Sequence, residues 1–184
     1  MATKLAGMRV AIIATDMVEE IELTQPREAL EEAGAITELL SPKKGEIVSA
    51  NHFDKSTTYP VDVILNEVVP AEYDALLLPG GALNADLLRV EPLAQEFVQH
   101  FDQEGKPIAV ICHGAWLLVS AGIVDGRNLT SFHTIADDIQ NAGGDWTDQP
   151  VVIDSNLVSS RKPDDIPVFN QAMIKLFSSS PALV

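Results

Sequence analysis

Residues 107–118 read PIAVICHGAWLL, and this stretch decides the fold. A branched apolar run ends at Cys112, His113 and Gly114 follow, and a second apolar run of helical character begins. This order is typical of a buried strand, a sharp turn and a helix that packs on the face of a parallel sheet. Cys112 is then expected on the turn itself, in strained backbone beside a helix N-terminus, where catalytic nucleophiles are often found.

Strand-like and helical segments alternate along the rest of the chain. Strands are predicted at 10–15, 36–40, 61–65, 73–78 and 128–132, and helical segments at 21–33, 83–104, 135–142 and 164–177. Residues 151–153 and 157–160 flank a turn-forming triplet and predict a C-terminal β-hairpin, while 41–55 reads as a loop or a surface hairpin. Alternation of this kind predicts an α/β fold: a mainly parallel sheet with helices on both faces.

The chain is predicted to be one domain over 1–184, with a core at about 8–177 and a loose tail at 178–184. One ambiguity concerns the first helix. It begins either near Thr24, with Pro26 in its first turn, or at Glu19, with a kink at Pro26.

Composition excludes several classes of function. The formal net charge is −15, which argues against nucleic acid and anionic membrane as partners because both need clustered Lys and Arg. The single cysteine excludes an internal disulfide and any multi-cysteine zinc site, and no metal is predicted. No apolar run is long enough to span a bilayer or to form a signal-peptide core, so a cytoplasmic location is expected.

Cys112 has two interpretations. A lone cysteine is usually a small buried hydrophobic residue, and composition alone favours that interpretation. Its position favours the other, because helix N–H groups at a strand-to-helix turn stabilise a thiolate and lower its pKa. Gly114 permits tight backbone at this turn, and His113 is adjacent, although neighbouring residues in a turn rarely aim their side chains at each other.

Two other segments are expected at the same edge of the sheet. Glu19 and Glu20 follow the first strand, and Gly80 and Gly81 follow the strand that ends at Leu78. In open α/β sheets, ligands bind outside the carboxyl ends of the strands. A carboxyl group there could hydrogen-bond the sulfur, or be a solvated charge at a helix N-terminus. The glycine N–H groups could face an oxyanion, or form a plain tight turn.

Three further side chains are candidates for lining a pocket. Trp116 lies in the helix after the cysteine, where a core position is the simplest interpretation. His133 follows Phe132 and either lines the pocket or caps the next helix. A catalytic His113 would need a carboxylate to fix its tautomer, and spacing alone does not choose among the many acidic residues.

Taken together, six motifs resemble the DJ-1/PfpI superfamily, and its PfpI-type intracellular protease branch (peptidase family C56) in particular. They cover most of 8–177 and occur in the family's order. They are VEEIEL at 18–23, ALLLPGG at 75–81, AVICHG with LL at 109–118, TS with DD at 130–138, NAG at 141–143 and VSSR at 158–161.

The resemblance implies a flavodoxin-like sandwich, related to class I glutamine amidotransferases, with Cys112 as a nucleophile on the elbow. It implies that Glu19 is the acidic partner of the sulfur and that His113 is the adjacent base. The backbone N–H groups of Gly81 and His113 would form the oxyanion site, and no cofactor is implied.

The family also implies a homodimer, sometimes assembled into hexamers. In the PfpI branch a carboxylate after the Pro-Gly-Gly turn reaches across a subunit interface to orient the histidine. Its nearest match here is Asp86, an aspartate in place of a glutamate in a loop about one residue longer. A tyrosine common near the pocket is matched by Phe132, with His133 beside it.

Three functions are compatible with these residues. The first is a glyoxalase III-like or deglycase-like enzyme, in which Cys112 adds to a small reactive carbonyl such as methylglyoxal. The second is a cysteine peptidase or amidase that uses the same residues in acyl transfer on a peptide. The third is a non-enzymatic stress-response protein, a redox sensor or weak chaperone, in which Cys112 oxidises to a sulfinic acid.

Overall fold

A seven-stranded sheet forms the centre of the molecule, which a computed structural model describes over residues 4–179. In spatial order its strands are β10 (Val151–Asp154), β11 (Leu157–Ser160), β7 (Ile108–Ile111), β6 (Ala75–Leu78), β1 (Arg9–Ile13), β2 (Ile36–Ser41) and β5 (Val63–Ile64). Every pair is parallel except β10 with β11. The predicted mainly parallel sheet and C-terminal hairpin are therefore confirmed.

Helices cover both faces of this sheet, as predicted. On one face α1 (Glu20–Glu32) packs against α6 (Ile166–Ser179). The other face carries α2 (Ala82–Leu88), α3 (Pro92–Gln103), α4 (Ala115–Ser120) and α5 (Ala136–Asn141). Alternate residues of β1 point to the two faces, so that Ala11 and Ile13 join one apolar core and Val10 and Ile12 the other.

Two small sheets lie outside the central one. β3 (Glu46–Asn51) and β4 (Asp54–Pro60) form an antiparallel hairpin. Of the two structures expected for 41–55, a loop or a surface hairpin, the hairpin is the one that forms. β8 (Asn128–Leu129) pairs with β9 (Asp145–Trp146). The predicted strand at 128–132 is thus only two residues long, because Thr130 and Ser131 are buried in side-chain contacts: the Thr130 N–H donates to Ser159 and Trp146 donates to Ser131.

The segment predicted as a loop and one helix at 83–104 contains two helices. Pro92 begins α3 at a position where its missing N–H is not needed, and Glu91 caps this helix by accepting from the Leu93 N–H at 3.4 Å. At the start of the chain, α1 begins at Glu20 with Pro26 in its interior, close to the second of the two alternatives.

At the end of the chain, α6 continues through Ser179, so the first two residues of the predicted tail are helical. The rest of that tail, 180–184, lies outside the described residues. Within 4–179, none of the helices has the length and apolar character that crossing a membrane requires.

Candidate active site at the strand β7 elbow

Cys112 occupies a sharp elbow between β7 and α4. Its φ is 63°, in the left-handed region that non-glycine residues rarely adopt, and a single 3-10 turn over Cys112–Gly114 leads into the helix. A Cβ on Gly114 would lie 2.8 Å from the Leu78 carbonyl oxygen, so the turn packs against the end of β6 and only glycine fits there. The elbow predicted from the sequence is therefore present, and Cys112 in it is only 7% exposed.

Glu22 is the acidic side chain that faces this thiol. It lies in the first turn of α1, and the residue is fully buried. The Cys112 thiol and the Gly80 N–H approach its carboxyl group, but neither contact has the geometry of a well-formed hydrogen bond. The pKa of Glu22 is raised to about 8, chiefly by burial and also by the nearby charge of Glu19, so this carboxyl group is mostly protonated at neutral pH.

Glu19 is not at the sulfur, which corrects the expectation from the family resemblance. It precedes α1, and both its carboxylate oxygens accept from the His52 N–H, at 3.0 and 3.3 Å, in the turn of the β3–β4 hairpin. Its own N–H donates to the Gly80 carbonyl at 3.3 Å. The reason is where the helix begins: Glu19 is the N-cap residue and has extended backbone, whereas Glu22 lies in the first turn of α1 and its side chain is buried.

The pKa of Cys112 is raised well above its usual range, which reverses the low thiol pKa expected from the helix N-terminus. Burial is the largest cause, and the negative charge of Glu22, when ionised, is the second. The backbone N–H groups of His113 and Gly81 face the sulfur and lower the thiol pKa. When Glu22 is protonated it no longer repels the thiolate. Burial then still raises the thiol pKa, and the two N–H groups oppose it.

His113 is half-buried and directed at the cysteine. Its Nδ1 lies 3.3 Å from Cys112 Sγ, and its Nε2 lies 3.2 Å from Thr134 Oγ1. Burial and the nearby His133 lower the pKa of His113, so its imidazole is neutral and can accept a proton at pH 7. The left-handed backbone of Cys112 lets two consecutive side chains meet, against the general expectation for a turn.

The three predicted pocket residues gather around His113. Phe132 stacks on the imidazole with ring centroids 4.8 Å apart, and Trp116 lies 5.5 Å away on centroids. His133 contacts the Phe132 ring at 4.6 Å. Trp116 is partly buried: it packs against the apolar core, as expected, and its indole N–H donates to Asp138 at 2.8 Å, so it lies between the core and the site.

The Pro-Gly-Gly turn closes the site from β6. Gly81 has a φ of 90°, and a Cβ on it would lie 2.7 Å from the Glu19 nitrogen. A Cβ on Gly80 would collide with Glu22 Oε2 and lie 2.6 Å from Cys112 Cβ. These two glycines therefore let the β1, β6 and β7 edges approach closely enough for acid, thiol and backbone N–H groups to meet.

Asp86, like Glu19, is a predicted catalytic residue that lies away from the sulfur. It is exposed on α2, and within the chain Thr134 is the partner of the far nitrogen of His113. Sequence reasoning missed both Glu22 and Thr134. A signal for Glu22 was available, because it shares the buried stripe of α1 with Pro26 and Leu30 at a spacing of four residues. No cluster of three His, Cys, Asp or Glu side chains within 4–179 is arranged to hold a metal.

Comparison with known proteins agrees with this fold. The sequence model of the DJ-1/PfpI family matches residues 8–176. Protein/nucleic acid deglycase 2 of Escherichia coli is 40% identical over 172 residues, which cover 93% of this chain and 98% of that protein. YraA of Bacillus subtilis, named as a candidate cysteine protease, is 36% identical over 168 residues, 91% of this chain and 97% of that protein.

Among solved structures, a two-domain protein of Anabaena variabilis with DJ-1/ThiJ/PfpI-like and ferritin-like domains superposes with a TM-score of 0.88 at 30% identity. The match covers 96% of this chain and 50% of that one, so this chain spans about half of the larger protein. The chain belongs to the DJ-1/PfpI family.

Proposed function

We propose that this protein is a cofactor-independent enzyme of the glyoxalase III or deglycase type, in which Cys112 attacks small reactive carbonyls and their adducts. The observation that carries the proposal is the meeting of three groups at one edge: a thiol, a neutral imidazole 3.3 Å away and a buried carboxyl group with a pKa of about 8. These three groups can transfer protons in two successive steps without a cofactor.

In the proposed reaction, His113 accepts the thiol proton while Sγ bonds to the aldehyde carbon of methylglyoxal. The N–H groups of Gly81 and His113 stabilise the resulting alkoxide, which becomes a hemithioacetal on protonation. Protonated Glu22 supplies that proton, and its carboxylate then moves a proton from the former aldehyde carbon to the neighbouring carbon through an enediol, giving a thioester. Water cleaves the thioester to lactic acid, whose proton restores Glu22, and His113 returns its proton to the Cys112 sulfur. Methylglyoxal plus water thus yields lactate and free Cys112, with no external oxidant.

The substrates we propose are small carbonyls and glycated amino or thiol groups, and not nucleic acid. The Escherichia coli relative carries nucleic acid in its name, but a net charge of −15 opposes binding of a polyanion here. A reactive free thiol works where thiols stay reduced, which supports a cytoplasmic location. We further propose that residues 1–184 act as one domain.

The test is consumption of methylglyoxal with lactate measured as product. Cys112→Ala should reduce the rate to that of the uncatalysed reaction. Glu22→Gln should lower kcat by about 10²-fold or more, the range for loss of a general acid–base group. Glu19→Gln is the matched control and should have a much smaller effect. A wild-type protein that forms no lactate, in a preparation free of other glyoxalases, overturns the proposal.

A second candidate, cysteine peptidase or amidase, is favoured by the same Sγ–Nδ1 contact and by the similarity to YraA. Acyl transfer needs the same nucleophile, base and oxyanion donors. A panel of fluorogenic peptides separates the two functions. Cleavage that is lost in Cys112→Ala supports the peptidase, and lactate formation without any cleavage supports the first proposal.

We also propose that two copies associate through α2, with hexamers as a further level of assembly. Leu83 and Leu87, exposed to 49% and 47%, lie one turn apart on one side of α2, and Val90, exposed to 73%, follows the end of this helix. Asp86 lies on the same side, between these apolar residues. A dimer through this face could bring Asp86 toward the partner's site, as the family resemblance implies.

A further inference from the structure

The far side of the His113 ring has a partner inside the chain. Its Nδ1 faces the Cys112 sulfur, and its Nε2 lies 3.2 Å from the Thr134 hydroxyl. The ring also stacks on Phe132 and contacts Trp116. Both nitrogens and the ring itself are therefore held by residues of one chain, before any second copy is considered.

The backbone fixes Thr134 relative to the elbow. Phe132, two residues earlier, donates its N–H to the Cys112 carbonyl oxygen at 3.2 Å. Ile135, the next residue, donates to the Phe132 carbonyl at 3.2 Å and is buried in the core. Thr134 thus lies on a tight 3-10 turn tied to the cysteine at one end and to the apolar core at the other.

We propose that Thr134 is a positioning residue of His113: its hydroxyl holds Nε2 so that Nδ1 faces the Cys112 sulfur. This inference rests on the proposed role of His113 as the base. In this arrangement one chain supplies the nucleophile, the base and the group that orients the base.

A hydroxyl suits this task for a chemical reason. It can accept a hydrogen bond from a protonated Nε2 and donate one to a bare Nε2, so it stays a partner in either tautomer. It also adds no charge, whereas a carboxylate at Nε2 would favour the imidazolium form. The titratable groups that do face His113 within the chain are Cys112 and His133, and neither supplies a negative charge while the thiol is protonated.

The experiment measures the ring directly and needs no substrate. Nitrogen-15 NMR of labelled histidine reports the tautomer and titration of His113, and the rate of Cys112 alkylation by iodoacetamide reports the thiol. Thr134→Val removes the hydroxyl at nearly constant shape, Thr134→Ser keeps it, and Thr58→Val is a control at an exposed threonine in β4.

Thr134→Val should shift the His113 Nε2 signal, because this nitrogen loses its hydrogen-bond partner, and slow alkylation by about twofold to tenfold, the size of one hydrogen bond. Thr134→Ser and Thr58→Val should match wild type. In a His113→Ala background Thr134→Val should have no further effect on alkylation, because the hydroxyl acts only through the ring.

Two results overturn the inference: wild-type signals and rates in Thr134→Val, or a Thr134→Val effect that persists in the His113→Ala background. The proposed function fails on a different measurement, the absence of lactate formation. A protein without glyoxalase activity but with a Thr134-dependent histidine signal would retain the positioning role and lose only the assigned reaction.

Discussion

Glu22, in the first turn of α1, and Cys112, on the elbow after β7, lie next to each other against Gly80. The absence of a side chain on Gly80 leaves room for both. Burial disfavours the charged form of both groups, and an ionised Glu22 raises the pKa of Cys112 further, whereas the neutral thiol lowers the pKa of Glu22. The pair is therefore most stable with Glu22 protonated and the thiol neutral, and one of them ionises more easily while the other stays neutral.

Glu22→Gln should lower the pKa of Cys112. The substitution removes the carboxylate that repels the thiolate at high pH, while the burial and the two N–H donors remain. The pH at the midpoint of the alkylation curve should therefore fall, and the reaction at pH 8.5 should be faster than in wild type, because a larger fraction of the thiol is ionised. Iodoacetamide kinetics between pH 6 and 10 measure this midpoint.

Glu19→Gln is the control for that measurement, since it removes a carboxylate that lies one helical turn away and faces His52. Its midpoint should stay close to that of wild type. A large change in Glu19→Gln together with none in Glu22→Gln would restore Glu19 as the acid at the sulfur. The Glu22→Gln variant should therefore combine a more reactive Cys112 thiol with slower formation of lactate.

The raised pKa of Glu22 should also make stability depend on pH. In the unfolded chain a glutamate titrates near ~4.3, whereas in the folded protein Glu22 titrates at about 8. Between these values the folded state holds a proton that the unfolded chain has released, so this residue's contribution to stability falls as pH rises through the window.

Urea unfolding at intervals from pH 5 to 8.5 tests this linkage. The difference in unfolding free energy between wild type and Glu22→Gln should fall, over that range, by on the order of a few kcal/mol. The opposite contribution of His113, whose pKa is lowered, is present in both proteins and cancels. A difference that is constant with pH contradicts the burial of an ionisable Glu22.

Much of the fold follows from short-range patterns. Continuous apolar runs predicted β1, β6 and β7, and the turn-forming triplet after Ile153 predicted the hairpin, because each signal lies within a few residues. The strand after Asn128 was overestimated for the opposite reason. Its end depends on contacts from Thr130 to Ser159 and from Trp146 to Ser131, between residues far apart in sequence.

The same difference between local and long-range signals applies to the candidate site. Cys112 and the glycines were predictable because the elbow is a local feature of strand, turn and helix. The choice between Glu19 and Glu22 depended on where α1 begins, and Pro26 left that open. Thr134 could not be predicted, because its contact with His113 exists only once the turn after β8 has packed against the elbow.

Gly80→Ala should damage both stability and the thiol. The new Cβ would collide with Glu22 Oε2 and come within 2.6 Å of Cys112 Cβ, and relieving this overlap should cost about 1–3 kcal/mol. Chemical unfolding measures the loss, and alkylation of Cys112 measures the displacement of the acid from the thiol.

Gly122→Ala is the comparison for this variant. Nothing lies within 4 Å of its new Cβ, and the only penalty is a left-handed φ of 75°, about 1–2 kcal/mol. Both variants should therefore unfold more easily, but only Gly80→Ala should change the alkylation of Cys112. Equal alkylation rates in the two variants would mean that the close packing of Glu22 and Cys112 against Gly80 does not position the Glu22 carboxyl group.

Substitutions on the exposed apolar side of α2 test whether two copies associate there and whether the site depends on the second copy. Leu87→Glu places a charge among the exposed apolar residues of α2 and should convert the proposed dimer to a monomer in light scattering. Val168→Glu on α6 is the matched control, since these side chains are 47% and 46% exposed, and it should leave the dimer intact.

Alkylation of the Leu87→Glu monomer then separates two sources of orientation for His113. If Thr134 holds the ring, the monomer and Asp86→Asn should both react at the wild-type rate, because the Nε2 contact lies within one chain. If the partner's carboxylate holds it, both variants should lose reactivity together. Wild-type assembly in Leu87→Glu would instead place the interface elsewhere on the molecule, away from the apolar side of α2.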